Sequence, residues 1–223
     1  MAHFTVDTEH PVIIPSEEIH LDGLLHIPKD AKGIVLFVHG SGSSRFSVRN
    51  QHVASILNKA KLATLLFDLL TPEEEKIDTR TSEFRFDIEF LASRLIDVTN
   101  WCSKQLVAHE LTVGYFGAST GGGAALVAAA KNAKTVKAIV SRGGRPDLAG
   151  ESLPLVIAPT LLIVGGNDEV VIEMNQIAMS KMHCVKKLEI IPGATHLFEE
   201  PGALDEVARL AETWFIQYLN QDT

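Results

Sequence analysis

From residue 33 onward, short runs that are apolar at every position alternate with amphipathic stretches, and this alternation restricts the fold more than any other feature of the chain. The runs are Gly33–Val38, Ala63–Phe67, Leu111–Phe116, Val136–Val140, Thr160–Val164 and Leu188–Ile191, rich in Val, Ile and Leu. A strand with one face in water alternates apolar and polar residues, whereas one that is apolar throughout has both faces covered, as in a parallel sheet flanked by helices. Between the runs, Phe84, Ile88, Leu91, Leu95 and Val98 recur at steps of three and four, as do Val207, Leu210, Ala211, Trp214 and Tyr218; both sets predict one-sided helices. Upstream, Val12–Ile14 and Ile19–Ile27 are separated by Pro15 and Ser16. The second segment holds Asp22-Gly23, a turn or bulge signal, so this part reads as antiparallel strands. Six buried strands after an antiparallel start predict a three-layer α/β domain with an open, mostly parallel sheet.

The 223 residues are enough for a core without a disulfide or metal staple, and one domain over 1–223 is expected. A hydrophobic share of 46% and a charged share of 22% exclude disordered, collagenous and coiled-coil chains. No apolar run approaches the ~18 to 20 residues of a membrane span, and Met1–Glu9 is polar, so a cytoplasmic protein without a membrane partner is expected. Cys102 and Cys184 form no CxxC pair and read as reduced, packed thiols, not metal ligands. With 28 acidic and 20 basic side chains the net charge is −8, a field that repels nucleic acid.

In open α/β sheets, ligands bind beyond the C-terminal ends of the strands, so chemistry should follow each apolar run. After Leu111–Phe116 comes Gly117-Ala118-Ser119-Thr120-Gly121, then Gly122, Gly123 and an alanine-rich stretch. A G-x-S-x-G string with a strand before it and a helix after it is the pattern of a nucleophile elbow. There a tight turn lifts the serine above the sheet, and the glycines permit close backbone approach. The competing reading makes Ser119 a helix N-cap on a glycine-rich turn. A nucleotide loop fits less well, because no Lys follows the glycines and no G-x-G-x-x-G opens the helix.

A serine hydroxyl needs a base, and the base needs an orienting group. Thr160–Val164 leads into Gly165-Gly166-Asn167-Asp168, and Leu188–Ile191 leads into Pro192-Gly193-Ala194-Thr195-His196. Both residues follow strands in the order serine, acid, histidine expected of such an elbow. Asp168 could instead be an N-cap or turn residue. Among the other histidines only His39 also ends a strand, in His39-Gly40-Ser41-Gly42-Ser43-Ser44, and there it reads as a brace for the loop. Two backbone N–H groups must face the developing oxyanion; these are assigned to Ser41 and Thr120, with Gly42 as the alternative to Ser41.

Four of the eight arginines fall in two loops on the same side: Arg45 and Arg49 after the glycine loop, and Arg142 and Arg145 in Ser141-Arg142-Gly143-Gly144-Arg145-Pro146-Asp147. Arginine forks suit carboxylate or phosphate, so these residues are candidates for substrate binding. The alternative is that they pair with Asp68, Asp147 or the Glu73–Glu75 run.

Together, His39-Gly40-Ser41-Gly42, Gly117-Ala118-Ser119-Thr120-Gly121, Gly165-Gly166-Asn167-Asp168 and Gly193-Ala194-Thr195-His196 resemble the α/β-hydrolases, and more narrowly the small capless members grouped with dienelactone hydrolase. The resemblance implies a twisted sheet of about eight strands with helices on both faces and no cap domain, a Ser119/Asp168/His196 triad, no cofactor and no metal, and hydrolysis of esters or related acyl compounds. Dienelactone hydrolase proper carries cysteine where this chain has Ser119, so its substrate is not transferred. Ser141–Asp147 also resembles a stretch of α/β-hydrolase-like proteins sometimes joined to phosphoribosyltransferase domains; none is read in these residues. The expectation is a serine hydrolase acting on a carboxylic ester, thioester or related acyl bond of a small-molecule substrate, anionic if the arginines form a clamp. An anion-binding protein on the same fold and an acyltransferase are the alternatives, and a monomer and a homodimer are both compatible with the sequence.

Overall fold

Among the described residues the strands are β1 Glu9–Ser16, β2 Ile19–His26, β3 Gly33–Val38, β4 Leu62–Phe67, β5 Thr112–Ala118, β6 Val136–Arg142, β7 Thr160–Gly165 and β8 Lys186–Ile191. The helices are α1 Val48–Lys59, α2 Pro72–Thr81, α3 Ile88–Gln105, α4 Thr120–Lys131, α5 Glu169–Lys181 and α6 Ala203–Leu219, and a 3-10 segment, Pro146–Leu155, follows β6. The computed structural model describes residues 4–106 and 109–220. The strands form one sheet in the order β1-β2-β4-β3-β5-β6-β7-β8, antiparallel from β1 through β2 to β4 and parallel from β4 onward.

The apolar runs become strands because both sides of the sheet are covered. Along β3, Ile34, Leu36 and Val38 face the layer holding α3 and α4, while Val35 and Phe37 face the layer holding α1 and α6. β5 divides the same way, with Tyr115 on the first side and Phe116 on the second, where it packs 5.0 Å from Phe37. This is the three-layer α/β-hydrolase architecture, and no cap stands over the strand ends among the described residues.

Three sequence expectations need correction. β8 is not a buried strand: it is the sheet's edge, and Lys186, Lys187 and Glu189 leave only Ile191 buried. Charges on an edge discourage pairing with another strand. Asp22-Gly23 does not turn the chain but lies inside β2, where a methyl on Gly23 would come within 3.0 Å of Leu65 and Val12. Phe84 precedes α3, which starts at Ile88 under the Asp87 cap, and reaches the core by packing on Phe90 at 5.5 Å.

Helix α2, absent from the periodicity reading, has a full capping box. Thr71 Oγ1 accepts from Glu74 N–H, and the Glu74 carboxylate accepts from Thr71 N–H, with Pro72 opening the helix. Glu74 also accepts from Arg94 of α3 at 2.7 Å, and buried Asp78 accepts from the N–H groups of Phe84 and Arg85 and from Arg85 Nε. These bonds hold α2 beside the loop that follows β3.

Candidate active site

Ser119 follows β5 in a left-handed conformation, φ 51° and ψ −123°, that a non-glycine residue adopts only under strain, of order 1–3 kcal/mol. Close packing enforces it. A methyl on Gly117 would lie 2.6 Å from Gly121 O, and one on Gly40 would lie 2.9 Å from Ser119 Cβ. The Ser119 hydroxyl makes no capping bond to α4, so the N-cap reading fails.

Asp168 likewise forgoes the cap of α5. Its Oδ2 accepts instead from His196 Nδ1 at 2.6 Å, which fixes the ring and leaves Nε2 for another partner. The two loops are laced together: Asn167 N–H donates to Ala194 O, Asn167 Nδ2 to Gly193 O, and Gly166 N–H to Ile191 O. A methyl on Gly165 would lie 2.4 Å from Ala194 O, so backbone touches backbone. Glu200 accepts from Thr195 N–H and steadies the histidine loop from its far side, a residue the sequence did not single out.

Ser119 and His196 meet at the end of β6. Ser119 N–H donates to Arg142 O at 3.3 Å, and a methyl on Gly143, φ 51°, would lie 3.4 Å from His196 Cε1. No hydrogen bond joins Ser119 Oγ to His196 among the described residues.

Ser41, in the loop after β3, and Thr120, the first residue of α4, are also brought together. Ser41 N–H donates to Thr120 Oγ1 at 3.2 Å, a side-chain partner that the sequence does not single out. His39 is the brace. Its Nε2 accepts from Leu69 N–H at 2.9 Å, so Nδ1 carries the proton and donates to Gly40 O at 2.9 Å. Burial pushes its pKa below the ordinary 6.5, against the upward pull of the Gly40 carbonyl, Asp68 and Glu75. Beside it opens a cleft of about 230 Å3 lined by His39, Gly42, Ser44, Asp68, Leu70 and Glu75.

The four arginines divide. Arg45 is tied off by Asp68, through both its backbone N–H and its guanidinium, and by Asp22 at 3.3 Å. Arg145 makes a bidentate pair with Asp147, at 2.9 and 2.7 Å, which raises its pKa. Neither is a free cation. Among the described residues Arg49 reaches only Glu199, at 3.4 Å. Arg142 is 7% exposed, has its guanidinium carbon 5.9 Å from the centre of the Phe198 ring, and among the described residues finds no acceptor for Nε or Nη1. Burial, and then the charge of Arg49, bring its pKa down to about 10. No group of three or more His, Cys, Asp or Glu among the described residues could hold a metal ion.

A family model for the dienelactone hydrolase family matches residues 21–220. A crystal structure of dienelactone hydrolase from Anabaena variabilis is 60% identical, covers 95% of this chain and 98% of its own, and superposes with a TM-score of 0.93. Est1E from Butyrivibrio proteoclasticus, solved with ferulic acid, is 18% identical with a TM-score of 0.79 over 94% of this chain and 100% of its own, a likeness of fold. A Mycobacterium tuberculosis H37Rv protein whose name proposes a phosphoribosyl transferase is 57% identical over 211 residues, 95% of this chain and 47% of that protein. The chain thus spans about half the length of the curated relatives it matches.

Proposed function

The chain belongs to the dienelactone hydrolase family, and from that premise we propose that it is a serine hydrolase cleaving a carboxylic ester, thioester or related acyl bond of a small molecule. The observation that carries the proposal is the pair of abandoned helix caps: Ser119 is held strained with its hydroxyl uncommitted, and Asp168 spends its carboxylate on His196 at 2.6 Å. A helix N-terminus that served only the fold would be more stable with its cap bond made, by about 1 kcal/mol.

In this reading Ser119 Oγ attacks the acyl carbonyl carbon while His196 Nε2 takes its proton. Asp168 keeps the proton of Nδ1 facing it and stabilises the imidazolium. The carbonyl oxygen, now negative, is met by the N–H groups of Thr120 and Ser41, the latter exchanging Thr120 Oγ1 for the oxyanion. Collapse of the tetrahedral intermediate expels the alcohol or thiol, which leaves with the proton from His196. Water then attacks the acyl-serine through the same base, releasing the acid and restoring Ser119. A cytoplasmic location belongs to the same reading, supported by the two free thiols, Cys102 and Cys184; no helix of the described residues is long and apolar enough to cross a membrane.

The test is turnover of p-nitrophenyl acetate by wild type and by Ser119→Ala. Equimolar release of acetate and p-nitrophenol, lost in the variant, is the expected result. No turnover by wild type, or full turnover by the variant, refutes the proposal.

A further inference from the structure

We propose that Arg142 and Arg49 form a binding site for a phosphate-monoester dianion carried by the non-reacting part of the substrate. The substrate role rests on the serine-hydrolase reading; the existence of the site does not.

Strand parity fixes the direction of Arg142. Ala138 and Val140 of β6 face the α1/α6 layer, so Arg142 does too, and its stacking on Phe198 and its proximity to Arg49 of α1 agree. Ser141 points the other way, toward Gly122 and Gly144. Arg142 is the register partner of Ala118, the residue before the nucleophile, and its carbonyl accepts from Ser119 N–H. Neighbouring strands are ~4.8 Å apart, so the backbone that carries Arg142 runs beside that of the proposed nucleophile.

Buried polar groups are nearly always paired, and an unpaired buried cation is costly. Among the described residues Nε and Nη1 of Arg142 have no acceptor, Nε of Arg49 has none either, and the two cations repel each other. A carboxylate has two oxygens and one charge, which a single guanidinium fork satisfies. A phosphate monoester brings three acceptor oxygens and a charge of about −1.5 to −2 at neutral pH, enough to offset the charges of both arginines. Arg45 and Arg145, held by their own acids, do not compete for it. Glu199 is the residue an entering dianion displaces: it is 65% exposed and holds Arg49 by one contact of 3.4 Å. Phe198, the floor under Arg142, has φ 56°, so the strain of the histidine loop falls at this same point.

The experiment is calorimetric titration of the full chain with phenyl phosphate and, in a parallel arm, with benzoate, the monoanion on the same ring. Phenyl phosphate should bind saturably and at least about tenfold more tightly than benzoate. Glu199→Gln should strengthen binding about three- to tenfold and Arg49→Met should weaken it about tenfold or more. Arg142→Met should abolish it; should that variant fail to fold, the half-exposed Arg49 and exposed Glu199 still decide. Against p-nitrophenyl acetate, phenyl phosphate should raise KM and leave kcat unchanged. Absence of binding, equal binding of benzoate, wild-type binding by both Arg49→Met and Glu199→Gln, or binding that leaves KM unmoved each overturns the proposal. Fluorophosphonate labelling of the same samples separates the two readings. Labelling without phosphate binding removes this site and leaves the hydrolase, and binding without labelling does the reverse.

Discussion

If the proposed function holds, Gly121→Ala should disable hydrolysis without touching any of the groups assigned to the reaction. A methyl at Gly121 would stand 2.1 Å from Val38 O, 2.6 Å from His39 O and 2.8 Å from Val38 C. Comfortable carbon–oxygen contacts begin near ~3.3 Å, so α4 and the end of β3 must part by about 1 Å. Every obstacle is backbone, so no rotamer change relieves it. Thr120 rides on α4 and Gly40-Ser41 follows β3, so the parting separates the two N–H groups assigned to the oxyanion. Such donors act over 2.7–3.1 Å, and losing one typically costs ~10²–10³ in kcat. Overpacking of this kind destabilises by about 1–3 kcal/mol, or roughly 3–10 °C in Tm for a domain of this size. Steady-state ester hydrolysis with thermal unfolding is the assay, and kcat should fall while KM stays within about threefold. A variant with kcat within about threefold of wild type and an unchanged Tm would refute the close approach of α4 to β3 and the assignment of the donors.

A methyl at Gly144 meets a side chain instead, 1.8 Å from Ser141 Oγ and 3.2 Å from its Cβ, with the next neighbour at 3.5 Å. Gly144→Ala should therefore cost about 2 kcal/mol or more alone but under about 1 kcal/mol on a Ser141→Gly background; equal costs in urea denaturation contradict this. Asp78→Ala removes a fully buried carboxylate that accepts from Arg85 and Phe84. The loss should be about 3 kcal/mol at neutral pH. Burial pushes the Asp78 carboxyl up, but the backbone and side chain of Arg85 and the N–H of Phe84 outweigh it and hold it below 3.8. Its stabilisation is therefore complete above pH 3.8 and lost as pH falls through the lower folded value, so the two unfolding curves should converge in acid; a gap that does not narrow there is the contrary result. Asp168→Asn should lower kcat about 10⁴-fold with little change in KM, because the imidazole loses its orienting anion; a loss under about tenfold would release Asp168 from this role.

The parallel strands were legible because residues such as Val35 and Leu36 are both buried, on opposite faces, and burial on both faces leaves no polar alternation to misread. β8 misled because its charged residues lie at an edge, a position set by the order of strands and not by β8 itself. Helix α2 has one buried residue, Asp78, and so no apolar stripe, yet its Thr71-Pro72-Glu73-Glu74 start is a capping signal that could have been read. Ser119, Asp168 and His196 stand out in sequence because each follows a strand at a glycine-marked turn. The arginines were not separable there: Arg45 is neutralised by Asp22 and Asp68, which the sheet brings to it from distant segments. Arg142, by contrast, could have been read as inward from its parity with Val140.

The central claim, that Ser119 is the nucleophile, is tested most directly by mass spectrometry of the intact chain and its peptides after reaction with a fluorophosphonate. The account predicts one adduct per chain, on the peptide containing Ser119, and none on Ser119→Ala. An adduct on another residue, or no adduct on a wild-type chain that turns over p-nitrophenyl acetate, would contradict it.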